Sequence, residues 1–316
     1  MKKTGFAFTL ITFCLVSAAA TLAILGSAAR AARLRVASQY NEPDYIRYIS
    51  EGYGFDTVSS KKNYLITVTD GELPVRIHVF TVDEDKNTLD ILELPPDSYV
   101  IADGYFGTLR DAFSTSVYTQ IAEAALRLEI CGSVSFDAVT FGDIAQLLEV
   151  KLELPKGVYR AREIEVTEDI GKKIALDGFC YSGGDKEAVA LYRRLLAGIF
   201  SEMSRRGSFE SFSLLMNLIV NRFDTDMPMD EIIAAVNSVS GVKLRKINLR
   251  LAVGYPAKFG DSRIWSLSAD GMAELLNKYF RVKGIEVPKE SLSIPAAPAG
   301  EFPYEDLPVK AADILE

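Results

Sequence analysis

The sequence is short of the side chains most often recruited for metal binding and general-base chemistry. It holds one histidine, His78, and three cysteines, Cys14, Cys131 and Cys180. One His and scattered Cys give none of the ligand spacings that hold zinc. Cys14 falls inside an apolar stretch, so Cys131 and Cys180 alone make no disulfide framework. They are open either to pairing in an oxidising compartment or to standing as buried free thiols. There is no Gly-x-Ser-x-Gly elbow, no Gly-rich phosphate loop and no Gly-x-Gly-x-x-Gly turn. Positive charge is scarce too: 35 basic residues stand against 43 acidic ones, a net charge of −8. Residues 1–35 carry five basic residues (Lys2, Lys3, Arg30, Arg33, Arg35) and no acidic one, which leaves the remainder at a net −13. Such a body makes a poor general nucleic-acid binder, because phosphates need clustered Lys and Arg, although it leaves room for a local basic pocket. No nucleic acid is expected as partner.

What is present begins with apolar bulk. Of the 316 residues 48% are hydrophobic, too many for a mostly disordered chain, and the length suits one large or two medium domains. Residues 4–29 form an uncharged stretch of 26. As a helix it would span roughly 39 Å, more than the ~30 Å hydrocarbon core. A signal-peptide apolar region is usually about 7–15 residues, so an uncleaved single-span anchor over 1–35 is favoured. The rival is a cleaved signal, for which Ala29-Arg30-Ala31 offers a small-x-small site. Basic residues on both sides leave the positive-inside rule undecided. Lys2-Lys3 followed at once by an apolar run is the usual export start, so the body is expected outside, on a single-pass cell-membrane protein.

Residues 36–62 are polar and Tyr-rich and read as a stalk. Tyr64–Thr69 and Val75–Val82 read as strands joined at Asp70-Gly71, and Thr88–Leu94 as a third strand that Pro95-Pro96 ends. Spacings of three and four predict a helix over 108–130, through Leu109, Ala112, Phe113, Val117, Ile121, Ala124 and Leu128. Val134–Phe141 suggests a strand, Phe141–Val150 a short helix and Lys151–Leu154 another strand. A long helix is expected from Asp185 to about Arg206, stopped by Gly207, with Ser208 capping the next, to about Phe223. Further helices are expected over Met229–Val239 and Ala269–Phe280, and a strand over Asn248–Val253. Residues 283–316 hold five Pro and little periodicity and read as an acidic tail. Strands mixed with helices over 63–282 imply one α/β domain.

These residues carry a resemblance. Val82–Val100 (VDEDKNTLDILELPPDSYV) resembles, over 19 residues without a gap, the signature of the LytR–CpsA–Psr proteins: a valine-aspartate turn, a strand, proline-arginine-aspartate and a tyrosine-valine ending. Asn63–Asp70 is similar to that family's first strand, Ser135–Leu148 to its aromatic-valine-aspartate-phenylalanine stretch, Asp185–Phe200 to its aspartate-rich helix, and Thr225–Ile233 to its threonine-asparagine helix start. The resemblance implies an α-β-α sandwich with a mixed central sheet, preceded by one transmembrane helix. It also implies transfer of glycopolymers from polyprenyl-pyrophosphate carriers to the cell wall of Gram-positive bacteria. In that chemistry a lipid tail lies in an apolar tunnel, arginines grip the pyrophosphate and aspartates help hold magnesium. Guanidinium forks suit pyrophosphate oxygens, and magnesium wants hard oxygen ligands.

Position by position the pattern thins. Asp70, Asp97 and Asp185 are kept, but Pro96 stands for an arginine and Val75 for the second acid, with Arg76 next to it. The arginine-x-arginine loop falls near Cys180–Gly184, which has no arginine, although Gly183-Gly184 could offer backbone N–H groups to an anion or serve as a plain linker. Ala188 and Leu191 replace two more arginines, Tyr192 replaces a glutamine, and the diglycine near Val150-Lys151 is lost. Arg193 and Arg194 point roughly 100° and 200° from Tyr192 on a helix and are expected in solvent. Arg76 alternates with Val75 and faces the other side of its strand.

Each candidate also has a bland reading. Asp70 fits a hairpin turn, Asp97 a turn cap, Asp185 a helix N-terminus, His78 a hydrogen-bonded strand position, and Trp265 the core. The candidate pocket is thus Asp70, Arg76, Asp97, Asp185, Tyr192 and Arg193. Asp70 and Asp97 are the metal candidates, and magnesium is the cofactor only if the chain is active. The expectation is a domain that has lost transferase chemistry and binds a polyprenyl lipid, a cell-wall glycan or a partner protein. A divergent active glycopolymer transferase and an unrelated α/β envelope protein are its rivals. The tunnel is open or filled by side chains such as Ala188, Leu191 and Tyr192.

Overall fold

The computed structural model describes residues 61–102, 104–154, 163–177, 186–284, 286–295 and 309–315. Cα packing divides the chain into Thr57–Thr225 with Ala235–Glu316, and Met1–Asp56 with Asp226–Ala234. Of the second unit only residues 226–234 are described; they hold the start of a helix at Met229–Ser240. The expected anchor at 1–35 lies outside the described residues, as does the stalk up to residue 60. Among the described residues no helix is long and apolar enough to cross a membrane.

The first three strands follow the alternation of the sequence: β1 (Lys61–Asp70), β2 (Leu73–Asp83) and β3 (Thr88–Leu94) form an antiparallel meander. Gly71 turns the first hairpin at φ +60°, a conformation that glycine adopts without steric cost. A hairpin of β4 (Tyr99–Ala102) and β5 (Tyr105–Thr108) follows, then helices α1 (Leu109–Phe113) and α2 (Tyr118–Leu126). The single helix expected over 108–130 is thus broken. Thr108 and Asp111 cap α1 reciprocally, while Ser114 Oγ and Thr115 Oγ1 donate back to the carbonyls of Asp111 and Ala112 and end it.

β6 (Gly132–Asp137) stops four residues earlier than expected, because Asp137 Oδ1 accepts the Thr140 N–H at 2.6 Å and starts α3 (Ala138–Leu147). A small hairpin of β7 (Lys151–Glu153) and β8 (Glu163–Glu165) leads to α4 (Glu168–Leu176). The long helix α5 (Lys186–Arg206) and α6 (Ser208–Arg222) come next. Gly207, at φ +79°, is itself the N-cap of α6, and Ser208 is its first residue with no capping bond. β9 (Asp224–Thr225), α7 (Met229–Ser240), β10 (Ile247–Leu251), the hairpin β11 (Gly254–Phe259) and β12 (Ser262–Leu267), and α8 (Ala269–Leu275) complete the body. α8 widens into a π-helical turn at Leu276–Phe280.

The central sheet is mixed and seven-stranded: β13 (Val309–Lys310) pairs with β10, and the order continues β3-β2-β1-β6-β9. Its edge strand β13 (Val309–Lys310) and helix α9 (Ala311–Leu315) come from the segment read as a tail; Val309 pairs with Leu249, and Ala311 is fully buried. The order β1-β6 and β3-β10 is parallel, the rest antiparallel. Helices meet both faces. On one, Tyr192 and Phe200 of α5 contact His78 and Phe80 of β2. On the other, Tyr118 of α2 bonds Thr67 of β1 at 3.1 Å. Strand alternation decides which residues reach which helix.

Candidate functional site

Three adjacent charged or polar residues share the α5 face of the sheet. In the strand register His78 stands opposite Glu93, and Arg76 lies two residues before His78 on the same face. Arg76 is fully buried. Its Nη1 donates to Glu93 Oε1 at 2.6 Å, its Nε to the Ala175 carbonyl at 3.1 Å and its Nη2 to the Asp177 carbonyl at 2.6 Å. Its guanidinium also lies 4.2 Å over the Tyr192 ring. Every direction of the fork is thus taken up by the protein. Val75 is half-buried, and the β1–β2 register shifts here, from Val68 opposite Arg76 to Thr69 opposite Pro74, so simple alternation is interrupted at Val75.

Tyr192 is fully buried between two rings: it stacks on His78 and on Phe141, with centroids 5.6 Å away in each case. Its hydroxyl lies 3.2 Å from His78 Nε2. Burial pushes the Tyr192 hydroxyl far above its ordinary pKa, which the positive Arg76 only partly offsets. Burial likewise drives His78 down to about 4, with Arg76 adding to the effect and Glu93 opposing it. For Glu93 burial favours the neutral acid, but Arg76 and Arg193 outweigh it and hold the carboxyl below its ordinary value. His78 is therefore neutral at neutral pH and Glu93 ionised.

Arg193 corrects the expectation of a solvated side chain. It is buried, as are Leu191 and Tyr192 beside it. A helix exposes a stripe only if one side meets water, and α5 is covered by the sheet on one side and by α3, α4, α6 and α9 on others. Arg194 is half-buried and donates to the Glu153 carbonyl at 3.1 Å. Ala188 and Leu191 are also buried. Between His78, Glu93, Arg193, Leu196, Leu249 and neighbouring residues a cavity of about 10 Å³ remains, space for about one water.

Asp97 and Asp70 stand apart from this cluster in their contacts. Asp97 is buried, and its Oδ1 accepts from Arg110 Nε at 2.7 Å. Its carbonyl accepts the N–H of Trp265, which is fully buried as expected of a core residue. Asp70 is exposed at the hairpin turn, 3.9 Å from Lys172 Nζ. Asp185 lies outside the described residues. So does Cys180, while Cys131 is exposed.

The described residues do not fit the magnesium that the resemblance implies. The Asp97 oxygen is already bonded to a guanidinium, Asp70 projects from a turn, and no three acidic, His or Cys side chains gather among the described residues. Nor does the His78–Tyr192 contact form a reacting pair, since both are sealed from solvent.

Several charged residues that shape the interior were missed in the sequence. Arg110 is one, recruited by Asp97 from the first turn of α1. Glu93 is another, and on the opposite sheet face Asp90 accepts from Arg250 Nε and Nη2, both at 3.1 Å, while Arg250 covers the Tyr279 ring at 3.3 Å. The one signal available was an acid at each of positions 90 and 93 inside an otherwise apolar strand.

No family model matches the sequence, and no curated protein matches it either. Solved structures do. B. subtilis TagT is 13% identical, with a TM-score of 0.56 over 76% of this chain and 94% of its own. TagT bound to LI-WTA gives a TM-score of 0.58 at 12% identity over the same shares. Lin1025 of Listeria innocua, 14% identical, gives 0.54 over 75% of this chain and all of its own, 100%. These are LytR–CpsA–Psr folds, and this chain has the same fold, as its strand motif implied.

Proposed function

We propose that this chain is a membrane-anchored, extracytoplasmic cell-envelope protein that has kept the LytR–CpsA–Psr scaffold without transferase chemistry. It serves as a binding module for a lipid, a glycan or a partner protein. One observation carries the reading: Arg76, the cation nearest the lost acid position, spends its guanidinium on Glu93, two carbonyls and the Tyr192 ring. A pyrophosphate entering there would have to displace a buried ion pair, which leaves an uncompensated charge. The burial of Ala188, Leu191 and Tyr192 supports a filled interior over an open lipid tunnel. Placement of the body outside the cell rests on the Lys2-Lys3 and apolar run of the sequence.

One observation favours a divergent transferase instead. Arg110 beside Asp97 restores a cation where the motif has Pro96. The assay that separates the two readings incubates the full chain with a polyprenyl-pyrophosphate-linked glycan and magnesium and follows phosphate release. No turnover above a protein-free control is expected. Turnover that Asp97→Asn or Arg110→Ala abolishes overturns the proposal.

A further inference from the structure

Three large apolar side chains stand exposed at one end of the central sheet. Leu73, 57% exposed, follows the turn between β1 and β2. Strand β3 finishes at the same end, where Leu94 pairs with Ile77, and the β4–β5 hairpin that follows it carries Phe106, 67% exposed. Arg110 Nη1 donates to the Pro74 carbonyl at 3.3 Å and ties α1, directly after β5, to the first turn. Phe259 lies at the tip of the β11–β12 hairpin, is 61% exposed, and has its ring 5.0 Å from that of the half-buried Tyr99 of β4. The turn between β2 and β3 at the opposite end, residues 83–87, is polar throughout. Exposed apolar residues gathered at one end mark an interaction surface.

The side chains around Phe259 narrow the occupant. Residues 258–263 are all exposed, and Gly260-Asp261 makes the turn, with Gly260 at φ +60°. Lys258 and Arg263 stand directly opposite each other across the two strands. Like charges so placed weaken a hairpin, and neither cation has an ion pair or side-chain hydrogen bond among the described residues. Asp261 offsets one of them, which leaves the tip positive on an acidic body. The domain gains nothing from this pair, whereas an anionic surface outside it attracts both. Single apolar side chains on separate turns make a poor protein interface, which needs about 800 Å² a side in one complementary patch. A bilayer makes no such demand: each tip enters the headgroup region by itself, and cations beside it meet anionic headgroups. The tether is also long enough. Residues 30–60, between the apolar run and β1, number 31 and extend to roughly 100 Å at most. The ten residues of β1 span about 33 Å, so the end far from Lys61 still reaches the membrane.

We infer that this end of the domain, led by the β11–β12 tip, docks on an anionic lipid bilayer. The inference rests on the anchored reading above for its tether. Full chain carrying Phe259→Trp, in nanodiscs of brominated phosphatidylcholine with or without phosphatidylglycerol, tests it; the native Trp265 is fully buried and gives a low background. Quenching of emission from position 259 is expected with phosphatidylglycerol, and its loss on adding K258E/R263E, while the melting curve stays unchanged. No quenching, equal quenching without the anionic lipid, or quenching that survives K258E/R263E overturns it. So does protection of the 254–267 amides from hydrogen exchange that grows with protein concentration in lipid-free detergent, which gives the tip to a second copy. A chain that fails to enter the discs overturns the anchor instead. Docking is then read by flotation with phosphatidylglycerol vesicles, where co-migration lost in K258E/R263E supports it and absence of co-migration overturns it.

Discussion

At the scale of single residues the protein turns on where its charges are spent. Arg76 was legible as a strand residue next to Val75, because the β pattern of β2 is a local property of the chain. That it would be sealed under Tyr192 was not, because the helix that covers it begins more than a hundred residues later. The pair it makes with Glu93 is buried on both sides, at 0% and 5% side-chain exposure. Removing one partner of such a pair strands the other. Arg76→Leu is therefore expected to lower stability by about 3–5 kcal/mol in urea unfolding. Adding Glu93→Leu should recover most of that loss, since an apolar pair of matched size carries no unpaired charge. Recovery of nothing would show that the two bonds to the Ala175 and Asp177 carbonyls matter more than the ion pair. Asp97 illustrates the same limit. The motif around it was readable, but Arg110 was invisible, because a cation thirteen residues on reaches it only after α1 has been set by its capping box.

At the scale of elements, most strands and helices were legible from period and punctuation, and the errors have local causes. The 108–130 stretch has helical spacing throughout, yet Ser and Thr hydroxyls at 114 and 115 compete for backbone carbonyls and split it. Periodicity records which faces are apolar and is blind to such competition. The contact between α3 and α4 was not legible at all. Gly142 and Gly171 lie back to back, and a Cβ on Gly171 would come 2.5 Å from the Gly142 Cα. The neighbour is backbone, so it cannot swing aside. Gly171→Ala is expected to destabilise by about 1–3 kcal/mol, more than offsetting alanine's better helix propensity, as thermal melts of the variant would measure. A neutral or stabilising result would mean that the two helices can separate at little cost. Glycine inside a helix pattern hinted at a packing role, but the partner lies on a separate helix.

At the scale of the whole molecule, the buried ionisable groups make the fold sensitive to acid. His78 titrates at about 4 in the folded chain against 6.5 ordinarily, chiefly through burial. As pH falls the unfolded chain takes up the proton first, so stability is full above about 6.5 and is lost through the window down to about 4. The loss from this group is on the order of 3 kcal/mol. Glu93, held below its ordinary value, continues the loss at still lower pH. Urea midpoints measured across this range should fall with pH, and His78→Leu should flatten the upper part of the curve. A wild-type curve already flat between pH 6.5 and 4 would contradict the buried neutral imidazole. The sequence by itself determined the strand meander, the order of most helices, the apolar run at the start and the uncharged identity of Pro96, Ala188 and Leu191, because alternation, helical period and residue identity are local properties of a chain. Only the tertiary structure decided that Arg193 is buried, that Arg76 is bound to Glu93, that Asp97 is bound to Arg110 and that residues 309–310 close an edge of the sheet. Each of those depends on segments far apart in sequence meeting in space, where desolvation fixes which charges must find a partner.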